Sequence, residues 1–218
     1  MSRYMVLIPA YNEEKVIRSV VEGVLTYTKD VLVVDDGSSD STFSNIESVG
    51  IPIIQQPHKG KGAALRTGFS YAIERSYDWV ITMDGDGQHD WRNIPEFVDA
   101  MANGAGDIIT GSRMSNTSSM PLLRLVTNRT MSTVISRLAG KKIPDTQCGF
   151  KAIRTEVLKT ITLTTFHYDT ESEVLIKAGR KGYTISSIPV KTIYNGINSD
   201  INKFTDTLRF FHLVWRSL

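Results

Sequence analysis

Residues 79–90 read WVITMDGDGQHD, a short apolar run that ends in Asp84-Gly85-Asp86-Gly87-Gln88. The run suits a buried strand over 79–83. If the backbone stays extended beyond it, side chains alternate faces, and Asp84, Asp86 and Gln88 point the same way. Two carboxylates and an amide oxygen on one face suit a hard divalent cation. Gly85 and Gly87 let a further group, such as a diphosphate, approach the backbone.

Working outward, apolar runs at 4–8, 31–34 and 51–55 alternate with helical patterns. Helices are expected over 13–28, capped by Asn12, over 41–48, within 59–76 and over 95–101, with a further strand at 107–110. Strands alternating with helices predict an α/β fold with a mostly parallel sheet flanked by helices. Ligands of such sheets bind beyond the carboxyl ends of the strands. Three polar clusters stand there: Pro9-Ala10-Tyr11-Asn12-Glu13, Asp35-Asp36-Gly37-Ser38 and Asp84–Gln88. Each alone fits an ordinary turn as well as a site. Three at one edge predict a shared site. After residue 112 come a polar loop, a helix over 121–139 that is apolar on one side and basic on the other, a helix over 169–180 and a strand over 183–193. The tail LRFFHLVWRSL suits a docked helix or a membrane contact.

The 218 residues suffice for one domain. Its first 112 residues are expected to hold the donor and metal, and 113–218 the acceptor. The net charge of +2 hides an asymmetry. Residues 1–112 carry nine Lys/Arg against sixteen Asp/Glu, while 113–159 carry nine against two. The basic stretch predicts an anionic partner; nothing points to nucleic acid. Cys148 is the one cysteine, so a reducing compartment is expected. No leader peptide or spanning segment is read, which predicts a cytoplasmic protein that meets a membrane only at its surface.

Other chemistries are poorly matched. A calcium loop begun at Asp84 needs Gly and Glu where His89 and Pro95 stand. No GxxxxGK[ST] and no GxSxG occur, the third glycine of a dinucleotide fingerprint is replaced by Leu65, and the four histidines have no zinc spacing.

The segments VLIPAYNEE, VLVVDDGSSDST, GKGAALRTG, DGDGQH, GSR and DTQCGFKA together resemble the family 2 glycosyltransferases of the GT-A fold. Within that family they look most like the polyprenyl-phosphate mannosyl- and glucosyltransferases. The resemblance implies that Pro9, Tyr11 and Glu13 hold the base and ribose of a UDP- or GDP-hexose, with Val34 and Asp36 completing the pocket. It likewise implies that Asp84, Asp86 and Gln88 hold the metal, Mg²⁺ or Mn²⁺, against the diphosphate, beside Gly85. Lys61 contacts phosphate, and Arg113 stands beside the phosphates. Arg113 with Arg124 or Arg129 receives a polyprenyl phosphate, at the cytoplasmic face of the membrane.

A phosphate acceptor is dianionic near neutral pH and needs no general base. A hydroxyl acceptor needs one, for which Asp145 stands ahead of Asp169 and Glu171. A third reading is a silent nucleotide-sugar-binding module recruited to membranes. Family members often carry an Arg in the late strand and a Lys in the loop after it, over the donor phosphates. Here VKTIYNGINSDINKF (190–204) offers Lys191 and Lys203 instead.

Overall fold

The computed structural model describes residues 2–115, 117, 120–191 and 193. Lys203 and the 204–218 tail, for which a membrane contact is expected, lie outside them. Seven strands form one sheet in the order β3-β2-β1-β4-β6-β5-β7. They are β1 (Tyr4–Ala10), β2 (Val31–Asp35), β3 (Ile53–Gln55), β4 (Trp79–Thr82), β5 (Ile108–Ser112), β6 (Lys151–Arg154) and β7 (Ile185–Pro189). β6 runs antiparallel to both its neighbours, and every other pairing is parallel. The helices are α1 (Ile17–Leu25), α2 (Thr42–Glu47), α3 (Lys61–Glu74), α4 (Ile94–Ala102), α5 (Leu122–Ala139), α6 (Thr155–Thr160) and α7 (Asp169–Arg180).

The central strands are apolar on both faces because both faces are covered. Met5 and Leu7 of β1 enter one core cluster with Leu65 and Phe69 of α3 and Leu175 of α7. Val6 and Ile8 enter the other with Val20 of α1 and Phe97 of α4. All four β1 residues are wholly buried.

Three expectations need correction. β6 and α6 were not foreseen. KAIR begins with a lysine, and a buried strand does not accept one unless a carboxylate meets it; Glu171 does, at 2.8 Å. The first helix starts at Ile17, not 13. Asn12 does not cap it. Its backbone is left-handed (φ 55°), its Oδ1 accepts from Ser39 N at 2.9 Å, and its N donates to Ser38 Oγ. It therefore ties the β1–α1 loop to the β2–α2 loop.

Helix α5 also departs from the simple two-sided reading. Its fully buried stripe is Asn128, Ser132, Ile135 and Ala139, while Leu122, Leu123 and Val126 near its start are exposed. Ile135 and Ala139 enter the core cluster of Met5 and Leu7, and the helix also approaches the α7 backbone closely. A Cβ at Gly179 would stand 2.3 Å from the Ala139 carbonyl oxygen. Backbone cannot yield as a side-chain tip does, so Gly179→Ala is expected to cost about 1–3 kcal/mol of stability by overpacking. Urea unfolding checks this. Among the described residues no helix is long and apolar enough to cross a membrane.

Candidate active site

β2, β1 and β4 are neighbours and parallel, so the loops after them share one sheet edge. The three polar clusters therefore meet, as their sequence positions predict. Backbone bonds lock two of the loops to the strands beside them: Asp36 N donates to Ala10 O at 2.9 Å and Met83 N to Leu7 O at 3.0 Å. The reversal of β6 matters here. Its first residue, Lys151, pairs with both Thr82 and Thr110. An antiparallel strand thus delivers the preceding loop, Asp145–Phe150, to the carboxyl edge of β4 and β5.

At the β1–β2 end, the exposed Tyr11 ring stacks on His58 with centroids 4.1 Å apart. His58 Nδ1 lies 2.9 Å from Asp36 Oδ2. Asp36 is buried and also accepts from Gln56 Nε2 and Gly60 N, both at 2.7 Å. Its carboxylate thus holds the loop that leads into α3. Glu13 N donates to Thr42 Oγ1 at 2.7 Å. Pro9 pairs in register with Val34, and the Val34 side chain lies in the core. Nothing in the sequence marks His58, because α2 and β3 lie between it and Asp36.

At the β4 end the expected geometry is corrected. The chain does not continue extended through Asp84–Gln88. It turns at Gly85–Gly87, with Gly87 at φ +72°. Asp86 Oδ1 accepts from Gln88 N at 2.9 Å, so a side-chain-to-backbone turn, not strand alternation, sets the two aspartates. Burial, and then the neighbouring Asp84 charge, push the Asp86 carboxyl above its ordinary value. Gly85 sits close to β1, where a Cβ would meet Pro9 O at 3.2 Å.

Asp84 is the hub. Its Oδ1 is 2.6 Å from Lys61 Nζ and its Oδ2 is 3.3 Å from His89 Nε2. Burial opposes its ionisation, but Lys61 and His89 together hold its carboxyl well below the usual carboxylate range. Room for that carboxylate comes from Gly149, where a Cβ would stand 2.4 Å from Asp84 Oδ2. Lys61 Nζ also donates to Glu171 Oε2 at 2.9 Å, and Lys151 Nζ donates to Glu171 Oε1 at 2.8 Å and to the Cys148 carbonyl. Burial would push Lys61 down, yet Asp84 and Glu171 hold its ammonium above the ordinary value. Likewise burial opposes the Glu171 charge, and Lys151 and Lys61 restore it. Spacing does not point to the ion-pairing of Lys151 with Glu171, 20 residues apart, and His89, five residues after Asp84, meets it only because the chain turns at Gly85–Gly87.

Beyond β5, Arg113 and Asp145 form a buried two-pronged pair, Nε to Oδ2 at 2.8 Å and Nη2 to Oδ1 at 2.9 Å. Asp145 is wholly buried and also accepts from the Arg113 and Gln147 backbones. Against the effect of burial, Arg113 holds its carboxyl below the ordinary range. Such a carboxylate orders its loop and makes a weak proton acceptor. Arg124 is half-buried and Arg129 exposed, both on α5 beside exposed Leu122, Leu123 and Val126.

The donor set at Asp84–Gln88 fits a hard divalent cation. It offers oxygens, its two carboxylates repel each other, and an ammonium already sits on one of them. Among the described residues no three His, Cys, Asp or Glu side chains converge into a closed metal cage.

Residues 5–162 match the pattern of "Glycosyl transferase family 2". UDP-N-acetylglucosamine–dolichyl-phosphate N-acetylglucosaminyltransferase of Methanococcus voltae is 33% identical, over 97% of this chain and 93% of its own. Polyprenol monophosphomannose synthase of Mycolicibacterium smegmatis is 31% identical, over 86% of this chain and 76% of its own. Glucosyl-3-phosphoglycerate synthase from Mycobacterium tuberculosis, in complex with Mn²⁺, UDP and phosphoglyceric acid, shares the fold at TM-score 0.76. It is 18% identical, over 99% of this chain and 78% of that one. With the family pattern spanning most of the chain and the sheet built in this order, the chain belongs to glycosyl transferase family 2 and is a glycosyltransferase of the GT-A fold.

Proposed function

We propose that this glycosyltransferase moves a hexose from a UDP- or GDP-sugar to a polyprenyl phosphate, with inversion, at the surface of a membrane. The observation that carries the reading is the convergence of Asp84, Asp86, Tyr11 and Asp36 at one sheet edge, next to a segment with a net charge of +7. The names of its relatives from Methanococcus and Mycolicibacterium support a lipid-phosphate acceptor.

In this reading Tyr11 supplies a ring face for the base, which His58 faces in the protein alone. Asp84, Asp86 and Gln88 would hold Mg²⁺ or Mn²⁺, which when bound neutralises charge on the departing nucleoside diphosphate. Lys61 adds its ammonium beside the same phosphates, and Gly85 keeps that approach open. Arg113, fixed by Asp145, follows β5 at the same edge. Arg124 and Arg129 receive the acceptor phosphate; guanidinium suits this because it can bind phosphate through two parallel hydrogen bonds. The acceptor's own charge makes it the nucleophile, so no side chain has to remove a proton. That agrees with an Asp145 already committed to Arg113. Leu122, Leu123 and Val126 would meet the lipid at the interface.

The test is transfer of labelled sugar in liposomes containing polyprenyl phosphate, with UDP- and GDP-hexoses and Mg²⁺ or Mn²⁺. Labelled lipid is expected with one donor, and its absence with every donor would defeat the acceptor assignment. Arg129→Ala is expected to cut transfer about tenfold with donor affinity unchanged, the loss of one charge-assisted contact. A full loss of transfer in Asp145→Asn with folding and donor binding intact, beside an active Arg129→Ala, would favour a hydroxyl acceptor.

A further inference from the structure

The Asp84 carboxylate already has a cation on it. Lys61 Nζ lies 2.6 Å from Asp84 Oδ1, and its second partner, Glu171 Oε2, is 2.9 Å away on the other side. Glu171 is in turn steadied by Lys151 at 2.8 Å. The ammonium thus bridges two carboxylates from different parts of the fold, one after β4 and one in the first turn of α7. We infer that Lys61 is a built-in counter-ion that keeps a divalent cation off Asp84 until a diphosphate arrives, and that Glu171 is the positioning residue that retains the lysine when it lets go. This rests on the proposed metal and donor reading and adds an order of binding to it.

The charge count supports that order. Leaving His89 aside, the carboxylates of Asp84, neighbouring Asp86 and Glu171 stand against the ammonium groups of Lys61 and Lys151, which leaves one uncompensated negative charge in the cluster. A divalent cation entering alone turns this excess positive and contends with Lys61 for Asp84. A cation entering with the diphosphate of a nucleotide sugar adds no net charge, because the two cancel. Lys61 then keeps Glu171 on one side and gains phosphate oxygens on the other. In a partly buried cluster such balance matters more than at a wet surface, since charges there are weakly screened. The Lys151–Glu171 bond prevents α7 from giving up its carboxylate along with the lysine.

The prediction is read by Mn²⁺ binding, from the electron paramagnetic resonance of free Mn²⁺, with and without UDP or GDP. The full chain is expected to bind Mn²⁺ weakly alone and at least about tenfold more tightly with its nucleotide, the scale of close buried charge pairs. Lys61→Met is expected to bind Mn²⁺ alone at least about tenfold more tightly than the parent and to lose most of the gain from nucleotide. Glu171→Gln leaves Lys61 with Asp84 only and is expected to weaken Mn²⁺ binding in both conditions. Lys59→Met removes the same charge from an exposed position two residues away and controls for net charge. The inference is overturned if Lys61→Met binds Mn²⁺ alone no more tightly than the parent, or if Lys59→Met tightens it equally. Should Lys61→Met fail to fold, an unchanged or tightened affinity in Glu171→Gln overturns it by itself. No acceptor enters this measurement, so a negative liposome assay would defeat the proposed acceptor and leave this result intact.

Discussion

Asp86→Asn is expected to lower transfer by about 10³-fold and, at neutral pH, to raise the unfolding midpoint of the metal-free protein. Both effects have one origin. Asp86 is partly buried next to Asp84, and burial together with that like charge raises its pKa in the folded state. For an acid the sign is unambiguous. A folded pKa above the unfolded one means that the ionised carboxylate opposes folding above the unfolded pKa of ~3.9, and that this opposition vanishes below it. Asparagine removes the repulsion and keeps an oxygen for the Gln88 N–H, which Asp86 Oδ1 now accepts at 2.9 Å. Stability therefore rises. In the proposed reading activity falls because the variant withdraws a charged ligand from the cation that would neutralise the departing diphosphate, worth on the order of 4 kcal/mol of barrier. Thermal unfolding without metal at pH 7 and pH 3, set beside turnover at pH 7, checks the pair. A variant that lost activity and stability together would mean that Asp86 serves the fold, not a cation.

The second large effect runs the other way. Asp145→Ala is expected to destabilise the protein by about 3–5 kcal/mol, because it takes the paired carboxylate away from the buried Arg113 guanidinium. Arg113 is 7% exposed and Asp145 is not exposed at all, so water cannot replace what is lost. Urea unfolding at neutral pH measures it. The pH dependence separates this from lost packing. Arg113 depresses the folded pKa of Asp145. The stability due to that pairing is complete above the unfolded value of ~3.9 and disappears as pH falls through the folded one. The difference between parent and Asp145→Asn should therefore shrink in acid, whereas a purely steric effect would not.

These two carboxylates show how far residue types in a row can be read. Asp84, Asp86 and Asp145 all stand out in the sequence as acids beside glycines or turn residues. That Asp84 and Asp86 belong together is legible, because two residues cannot separate them far. That Asp145 is spent on Arg113 is not, because 32 residues intervene. A lysine after GF looks like a surface residue. Lys151 is 2% exposed only because Glu171, 20 residues later, brings the opposite charge on α7. The same gap hid β6, whose buried lysine contradicts the apolar pattern by which strands are recognised.

What the sequence determined by itself is local and periodic. The apolar runs, their alternation with helices, and polar clusters just beyond strand ends specify a mostly parallel sheet and the edge where its ligands bind. Burial on both faces demands such runs, and runs survive in one dimension. The order of the strands, the reversed β6 and the ion pairs around Asp84 were decided only in three dimensions. Charges are placed by partners distant in the chain, and a charge costs too much to bury until its partner is in place. The sequence holds both members of each pair, but only the folded sheet brings Lys61 of α3, Asp84 of the β4 loop and Glu171 of α7 to one point.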